Sequence, residues 1–324
     1  MVGSLSLPNS RTIPQPPKRA VQRTNTLPEG AIVFDTQPYP RPPRSLLEVQ
    51  IALDRQGISP GSIDGRLGAQ TRLAILAFQR KMKLSPSGTA DLETRNGLLL
   101  QSAPLTDYQV TSNDLARIQP LGKSWTAKSQ QSAMEFESVL ELVAEESHTH
   151  PGCIRSLNPA VDWTNVTVGV AVRLPAVSNG PPVVRAAFVR ISIAEKILEG
   201  YDDATNLLVH FPCSIAQRVE KRPIGLLRVQ TVAPHPNYTF DPELFPESPE
   251  AQQLTGKLVL PPGPNNPVGS VWIGLDKTGY GIHGTPNPEQ VGRTESHGCF
   301  RLANWNAELL LRYCWIGMPV YVDP

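Results

Sequence analysis

The spacing of apolar residues changes period along the chain. Between residues 45 and 101 it is helical. Leu46, Val49 and Leu53 fall on one face behind Ser45, a residue type suited to capping a helix. Gly57, Pro60 and Gly61 interrupt the pattern, and a second helix is predicted from near Thr71, with Leu73, Ala74, Ala77 and Phe78 at helical spacing. A short third helix covers Leu92 to Leu99. Three short helices in so few residues predict a small α bundle. Further on, Val139, Leu142 and Val143 share a helical face, Leu157-Asn158-Pro159 reads as a turn, and Val168 to Pro175 reads as a short strand stopped by proline. Beyond residue 183 the period becomes two. Phe188, Arg190 and Ser192 alternate with Val189, Ile191 and Ile193. Further strands are predicted over Leu207–Phe211, Leu226–Val232, Val271–Leu275 and Val320–Val322. One helix interrupts them, with Asn304 as its expected cap and Leu309, Leu310 and Tyr313 as its apolar stripe. The expected architecture is a multidomain α+β chain ending in a mainly β domain with short helices.

Composition fits this picture. A length of 324 residues suggests two or three domains at roughly 150 residues each. Thirty basic against 29 acidic side chains leave a net charge of +1, which excludes bulk attraction to nucleic acid or to an anionic membrane as the main activity. No apolar run approaches the ~18 residues of a membrane span. Proline departs from the norm, with 33 residues, about twice the usual share of ~5%. Nine lie in residues 1–43 and nine in residues 234–267. The first cluster predicts a Pro-rich disordered leader over residues 1–44. The second carries Tyr238, Phe240, Leu244 and Phe245, packing residues that a linker would lack, and predicts an ordered flap. No apolar run of the secretory type follows a basic start in residues 1–20, so an extracytoplasmic address implies a signal sequence removed from this chain.

The chemistry gathers in two stretches, Ile282-His283-Gly284-Thr285 and Ser296-His297-Gly298-Cys299-Phe300-Arg301. An ordinary thiol is only about 3% ionised at pH 7, so a nucleophilic cysteine needs a base, and His283 and His297 are both at hand. Gly298 allows close backbone approach, and the Gly298 and Cys299 amides could face a developing oxyanion. Ser296 is a weaker nucleophile than the adjacent thiol. Two other readings remain open here. Cys299 could be a small buried residue, or His283, His297 and Cys299 could hold zinc with Cys213 or His235, although structural zinc sites usually show short paired spacings. His148, His150 and Cys153 also stand close together, but with no fourth ligand nearby they read as polar loop residues. Cys153, Cys213, Cys299 and Cys314 are too far apart to form a small disulfide framework.

Three resemblances follow from these motifs. Asp64-Gly65-Arg66-Leu67-Gly68-Ala69-Gln70-Thr71 with Ala74, Phe78 and Gln79 resembles the three-helix peptidoglycan-binding domain, here residues 45–101. The helix, Asn-Pro turn and Gly-x-x-Val-x-x-Pro ending within residues 107–177 resemble a LysM-like βααβ module, with Met134-Glu135-Phe136 standing where a Tyr-x-Val strand is usual. Ser-His-Gly-Cys with a histidine sixteen residues before the cysteine resembles the YkuD-like L,D-transpeptidase catalytic domain, residues 183–323. Pro223-Ile224-Gly225, Asn266-Pro267-Val268-Gly269 and Leu302-Ala303-Asn304-Trp305 extend that match, while Arg222 replaces a common threonine. The last resemblance implies Cys299 as acylated nucleophile and His283 as base, its second ring nitrogen held by a backbone carbonyl such as that of Gly284. It implies catalytic places for His297 and Gly298 and substrate contacts for Arg301, Gly284, Ser296 and Tyr238. The implied partner is peptidoglycan in the periplasm or cell wall, with no metal or organic cofactor. The implied reaction joins stem tetrapeptides through 3-3 crosslinks. A stem-cleaving carboxypeptidase or thiol peptidase and a non-catalytic wall anchor are the alternatives.

Overall fold

The computed structural model describes residues 38–178, 180, 184–216, 218–244, 249–293 and 298–324. Most of the expected leader, together with Phe245, Ser296 and His297, lies outside these residues. The end of that leader is ordered, contrary to expectation. Arg41 pairs with Leu100 through two backbone hydrogen bonds of 3.1 and 2.9 Å, and its guanidinium meets Glu48 at 2.8 Å. The first module's backbone thus begins before Ser45.

That module contains helices α1 (Leu46–Asp54), α2 (Ala69–Lys81) and α3 (Leu92–Gly97). Ser45 caps α1 by accepting from the Glu48 amide. α2 starts two residues earlier than Thr71, behind Gly68, and the Thr71 hydroxyl accepts from the buried Gln50 side chain at 3.0 Å. Gln50 also accepts from the Asp64 and Gly65 amides, and so fixes the loop between α1 and α2. Val49, Leu53, Ala74, Phe78 and Leu98 form the core.

The second module runs β1 (Leu105–Gln109), α4 (Ser112–Ala116), α5 (Trp125–Ser129), α6 (Val139–Glu146), α7 (Pro151–Leu157) and β2 (Ala171–Pro175), with β1 and β2 antiparallel. Two expectations are corrected. Met134-Glu135-Phe136 is not the first strand, which is β1 and carries Tyr108. The two strands also enclose four helices rather than two, with α4 and α5 preceding the expected pair α6 and α7, and the segment holding α5 reaches away to another part of the molecule. Phe136 makes a single bridge to Ile118, and Met134 is fully buried.

The third module contains β3 (Phe188–Ser192), β4 (Ile197–Tyr201), β5 (Leu207–Pro212), β6 (Gly225–Pro234), β7 (Tyr238–Phe240), β8 (Leu258–Leu260), β9 (Val271–Leu275), β10 (Gly281–His283), β11 (Phe300–Arg301), α8 (Asn304–Tyr313) and β12 (Pro319–Asp323). Eight strands form one sheet in the order β11-β10-β9-β6-β12-β3-β4-β5. β10/β11 and β12/β3 are the parallel pairs. The remaining two, β7 and β8, pair as a separate antiparallel hairpin, the flap anticipated from the prolines. Asn304 does not cap α8. It is the helix's first residue, and its side chain instead accepts from the Ser270 amide at 3.1 Å and donates to the Pro264 carbonyl at 3.1 Å.

The modules pack against one another. Ile58 bridges His210 on β5, with hydrogen bonds of 2.8 Å (Ser59 N–H to His210 O) and 2.9 Å (His210 N–H to Gly57 O), so the first module covers the open edge of the large sheet. Leu207 of β5 is buried in the first module's core. His148 joins all three modules, since its ring meets Asp54 at 2.9 Å and stacks on Trp305 at 5.2 Å.

Candidate active site

Period-two alternation builds the site. Ile282 and Phe300 are cross-strand partners on β10 and β11, and both are buried in the main core. Their neighbours therefore point to the opposite face: Gly281 and His283 from β10, Arg301 from β11 and Cys299 immediately before it. His283 lies opposite Arg301 on one side and Trp272 of β9 on the other. The Trp272 and His283 rings stack at 5.6 Å. A Cβ at position 281 would come within 2.6 Å of the Trp272 ring, so the indole needs glycine there.

The His283 ring is oriented by its backbone. Nδ1 lies 2.6 Å from the Gly284 carbonyl, which can only accept, so Nδ1 carries the proton and Nε2 is left as the basic nitrogen. Gly284 is buried, and a Cβ there would meet Asn304 Oδ1 at 2.1 Å. The Gly284 carbonyl thus holds the second ring nitrogen, the place the resemblance implied for it, and so fixes the tautomer.

Burial lowers the His283 pKa to about 4, outweighing the favourable hydrogen bond that the ring donates to the Gly284 carbonyl, and the nearby Arg301 charge adds to the lowering. Burial also raises the Cys299 thiol above its ordinary range, against the Gly281 backbone and the Arg301 charge, which pull it down. Near neutrality both groups are uncharged, so the resting pair is thiol and imidazole. Cys299 Sγ lies 3.5 Å from the Gly279 carbonyl.

A cleft of about 480 Å³ is lined by this pair. Cys299, His283, Gly298, Arg301 and Tyr238 all line it, so five of the expected site residues come together. Sequence reasoning missed Trp272, Lys221, Val268 and Trp125, which also line it. Trp272 lies on a strand that was legible, but its pairing with His283 was not, because the three residues of β10 show no period. Trp125 was not legible either, because it comes from the second module. None of the four cysteines is in a disulfide, and burial pushes Cys213 and Cys314 up to about 12. Arg222, the departure from the usual threonine, donates to the Ala216 carbonyl at 2.8 Å. His150 caps α7, which accounts for it without a ligand role. Among the described residues no group of three or more His, Cys, Asp or Glu side chains is arranged to hold a metal ion.

Residues 186–322, which contain this whole cleft apart from Trp125, match the family described as "L,D-transpeptidase catalytic domain". This stretch of the chain is similar to the YkuD L,D-transpeptidase catalytic domain. Residues 44–98 match the family described as "Putative peptidoglycan binding domain". Among curated relatives, the "Putative L,D-transpeptidase YkuD" of Bacillus licheniformis is 24% identical over 57% of this chain and 93% of its own length. The protein of the same name from Bacillus subtilis is 49% identical over 13% of this chain and 25% of its own length. Similar solved structures include L,D-transpeptidase 3 from Mycobacterium tuberculosis, 20% identical, covering 49% of this chain and 67% of that one with a TM-score of 0.33. Across several other solved transpeptidases the match spans 55 to 65% of their length. Among the described residues no helix is long and apolar enough to cross a membrane.

Proposed function

We propose that the chain is a cysteine-dependent L,D-transpeptidase that joins peptidoglycan stem tetrapeptides. One observation carries this reading: Cys299 and a His283 of fixed tautomer line the same cleft in a domain of the transpeptidase family. His283 Nε2 takes the Cys299 proton as sulfur attacks the carbonyl of the stem's third residue. The tetrahedral intermediate collapses, the carbon–nitrogen bond to the terminal D-alanine breaks, and the imidazolium returns the proton to the leaving amine. A thioester remains. The amine of a neighbouring stem then attacks it, His283 accepts a proton from that amine, and the thiol leaves reprotonated. The product links two third residues, a 3-3 crosslink. No step calls for a metal or organic cofactor.

Arg301 and Lys221 provide the positive charge in the cleft, which suits stem carboxylates. The first module gives the enzyme a hold on peptidoglycan, and the 105–175 module is read as a second, LysM-like hold. Linked weak sites raise the local concentration of a sparse, immobile polymer. The site of action is therefore extracytoplasmic.

Incubation with a carbapenem, a strained acyl donor, followed by intact mass spectrometry tests the nucleophile. A covalent adduct is expected in the wild type, absent in Cys299→Ala and slow in His283→Ala. No adduct on folded wild-type protein would sink the reading. Purified stem tetrapeptide then separates the acceptors: a crosslinked dimer supports transpeptidation, and a tripeptide alone makes the enzyme an L,D-carboxypeptidase.

A further inference from the structure

The cleft has one wall from outside the transpeptidase domain. The inserted segment of the second module, residues 117–138, crosses to the β7–β8 flap. The Met134 amide donates to the Pro262 carbonyl at 2.9 Å, and the Asn265 amide donates to the Met134 carbonyl at 3.0 Å. A Cβ at Gly263 would come within 2.2 Å of the Met134 carbonyl oxygen, so the two backbones meet closely. The Asn265 side chain donates to the Glu135 carbonyl at 3.0 Å and to Glu141 at 2.6 Å. The Thr126 amide donates to Glu250 at 3.2 Å. Met134, Phe240 and Leu260 are fully buried in a small core made by the insertion and the flap together. This anchoring fixes Trp125, whose ring stacks on Phe240 at 4.2 Å and 15° and lies 6.4 Å from the Tyr238 ring. Trp125 keeps part of its surface, and it lines the cleft with Cys299.

We propose that Trp125 is a substrate-binding residue of the Cys299 cleft, so that the second module completes the acyl-donor site as well as serving as a tether. This rests on the transpeptidase reading. The cleft pairs an apolar wall of Trp125, Tyr238 and Trp272 with the cations Lys221 and Arg301. A stem peptide has matching chemistry, with methyl and methylene groups alternating with carboxylates along a short extended chain. The aromatic wall takes the aliphatic groups and the cations take the carboxylates, which holds the scissile carbonyl against sulfur. An indole is suited to this role because it buries a large, rigid apolar area.

The test uses the full chain in three arms. Wild-type protein must first form the carbapenem adduct; if it does not, the transpeptidase reading fails and this inference falls with it. In the second arm, Trp125→Ala is expected to raise the KM for stem tetrapeptide at least tenfold, with Trp125→Phe recovering most of the loss. Alkylation of Cys299 by iodoacetamide should stay within twofold of wild type, as should all rates in the control Lys123→Ala. A KM within twofold of wild type, or a fall in kcat alone that Phe does not rescue, overturns the proposal and leaves Trp125 a packing residue. The third arm does not depend on the Ala variant folding. Full-length Cys299→Ala is labelled with fluorotryptophan, and the Trp125 resonance is assigned by its loss in Trp125→Phe. Stem tetrapeptide is expected to shift that resonance saturably, and no shift overturns the proposal.

Discussion

At the scale of single residues, the cleft depends on two groups kept neutral. A base must be unprotonated to accept a proton, and a His283 pKa of about 4 keeps it so at any pH above that value. The Cys299 thiol, raised by burial, stays protonated well past neutrality. The rate of carbapenem acylation is therefore expected to be level between about pH 5 and 8 and to fall only near pH 4. His283→Ala removes the base and leaves only the thiolate to react, so its residual rate should climb with pH. The loss near neutrality should be on the order of 10² or more. A wild-type acid limb near pH 6.5 would contradict the neutral pair. Glu145 is perturbed in the opposite sense. Burial raises its carboxyl to about 8, Glu308, Glu141 and Glu289 add repulsion, and a hydrogen bond from Asn304 opposes the shift. The folded state thus holds a proton between about pH 4.5 and 8 that the unfolded chain has released. Stability attributable to Glu145 is greatest at the acid end and declines as pH rises through that window. Glu145→Gln should leave the melting temperature unchanged at pH 5 and raise it at pH 8.5, as scanning calorimetry would read.

At the scale of elements, what the sequence revealed follows the strength of local pattern. Val271–Leu275 was legible to the residue, because both ends of the strand are marked by a change in polarity. The β7–β8 flap was legible from prolines accompanied by aromatics. β10 and β11 were not, since three- and two-residue strands carry too few positions to show a period. β4 was hidden because Ile197–Tyr201 is buried along most of its length instead of alternating. That burial has a cause in the fold, since Glu199 of β4 faces the first module. Burial alone would raise its carboxyl. His210 at 2.8 Å, the Tyr201 hydroxyl and Arg80 at 2.7 Å overcome that and hold it at about 2. The partners of this cluster should not be equal. Glu199→Ala removes the enclosed carboxylate that His210, Tyr201 and Arg80 share and should cost about 3 kcal/mol in urea unfolding. Arg80 is half exposed, so Arg80→Ala should cost less than about 1 kcal/mol.

At the scale of the whole molecule, composition and motifs suggested separate modules on a chain, and the contacts between modules alter that picture. Patterning reports which residues an element buries but not which element covers them, so the docking of the first module on β5 and the reach of Trp125 into the cleft could not be read in advance. Leu207 shows what docking implies. It belongs to β5 of the third module, yet it is buried among Val49, Leu53, Phe78 and Leu98 of the first module. Truncation to alanine leaves a cavity there and should cost about 2–3 kcal/mol. If the modules were independent, that cost would fall on β5 alone. In the docked arrangement it falls equally on α1 and α2, more than a hundred residues away in sequence. Amide hydrogen exchange on the full chain distinguishes the two cases. Leu207→Ala should speed exchange at the buried positions Ile51, Leu53, Ile75 and Phe78 together with β5. Unchanged protection of α1 and α2 beside a loosened β5 would return the first module to the status of a tethered, independent domain.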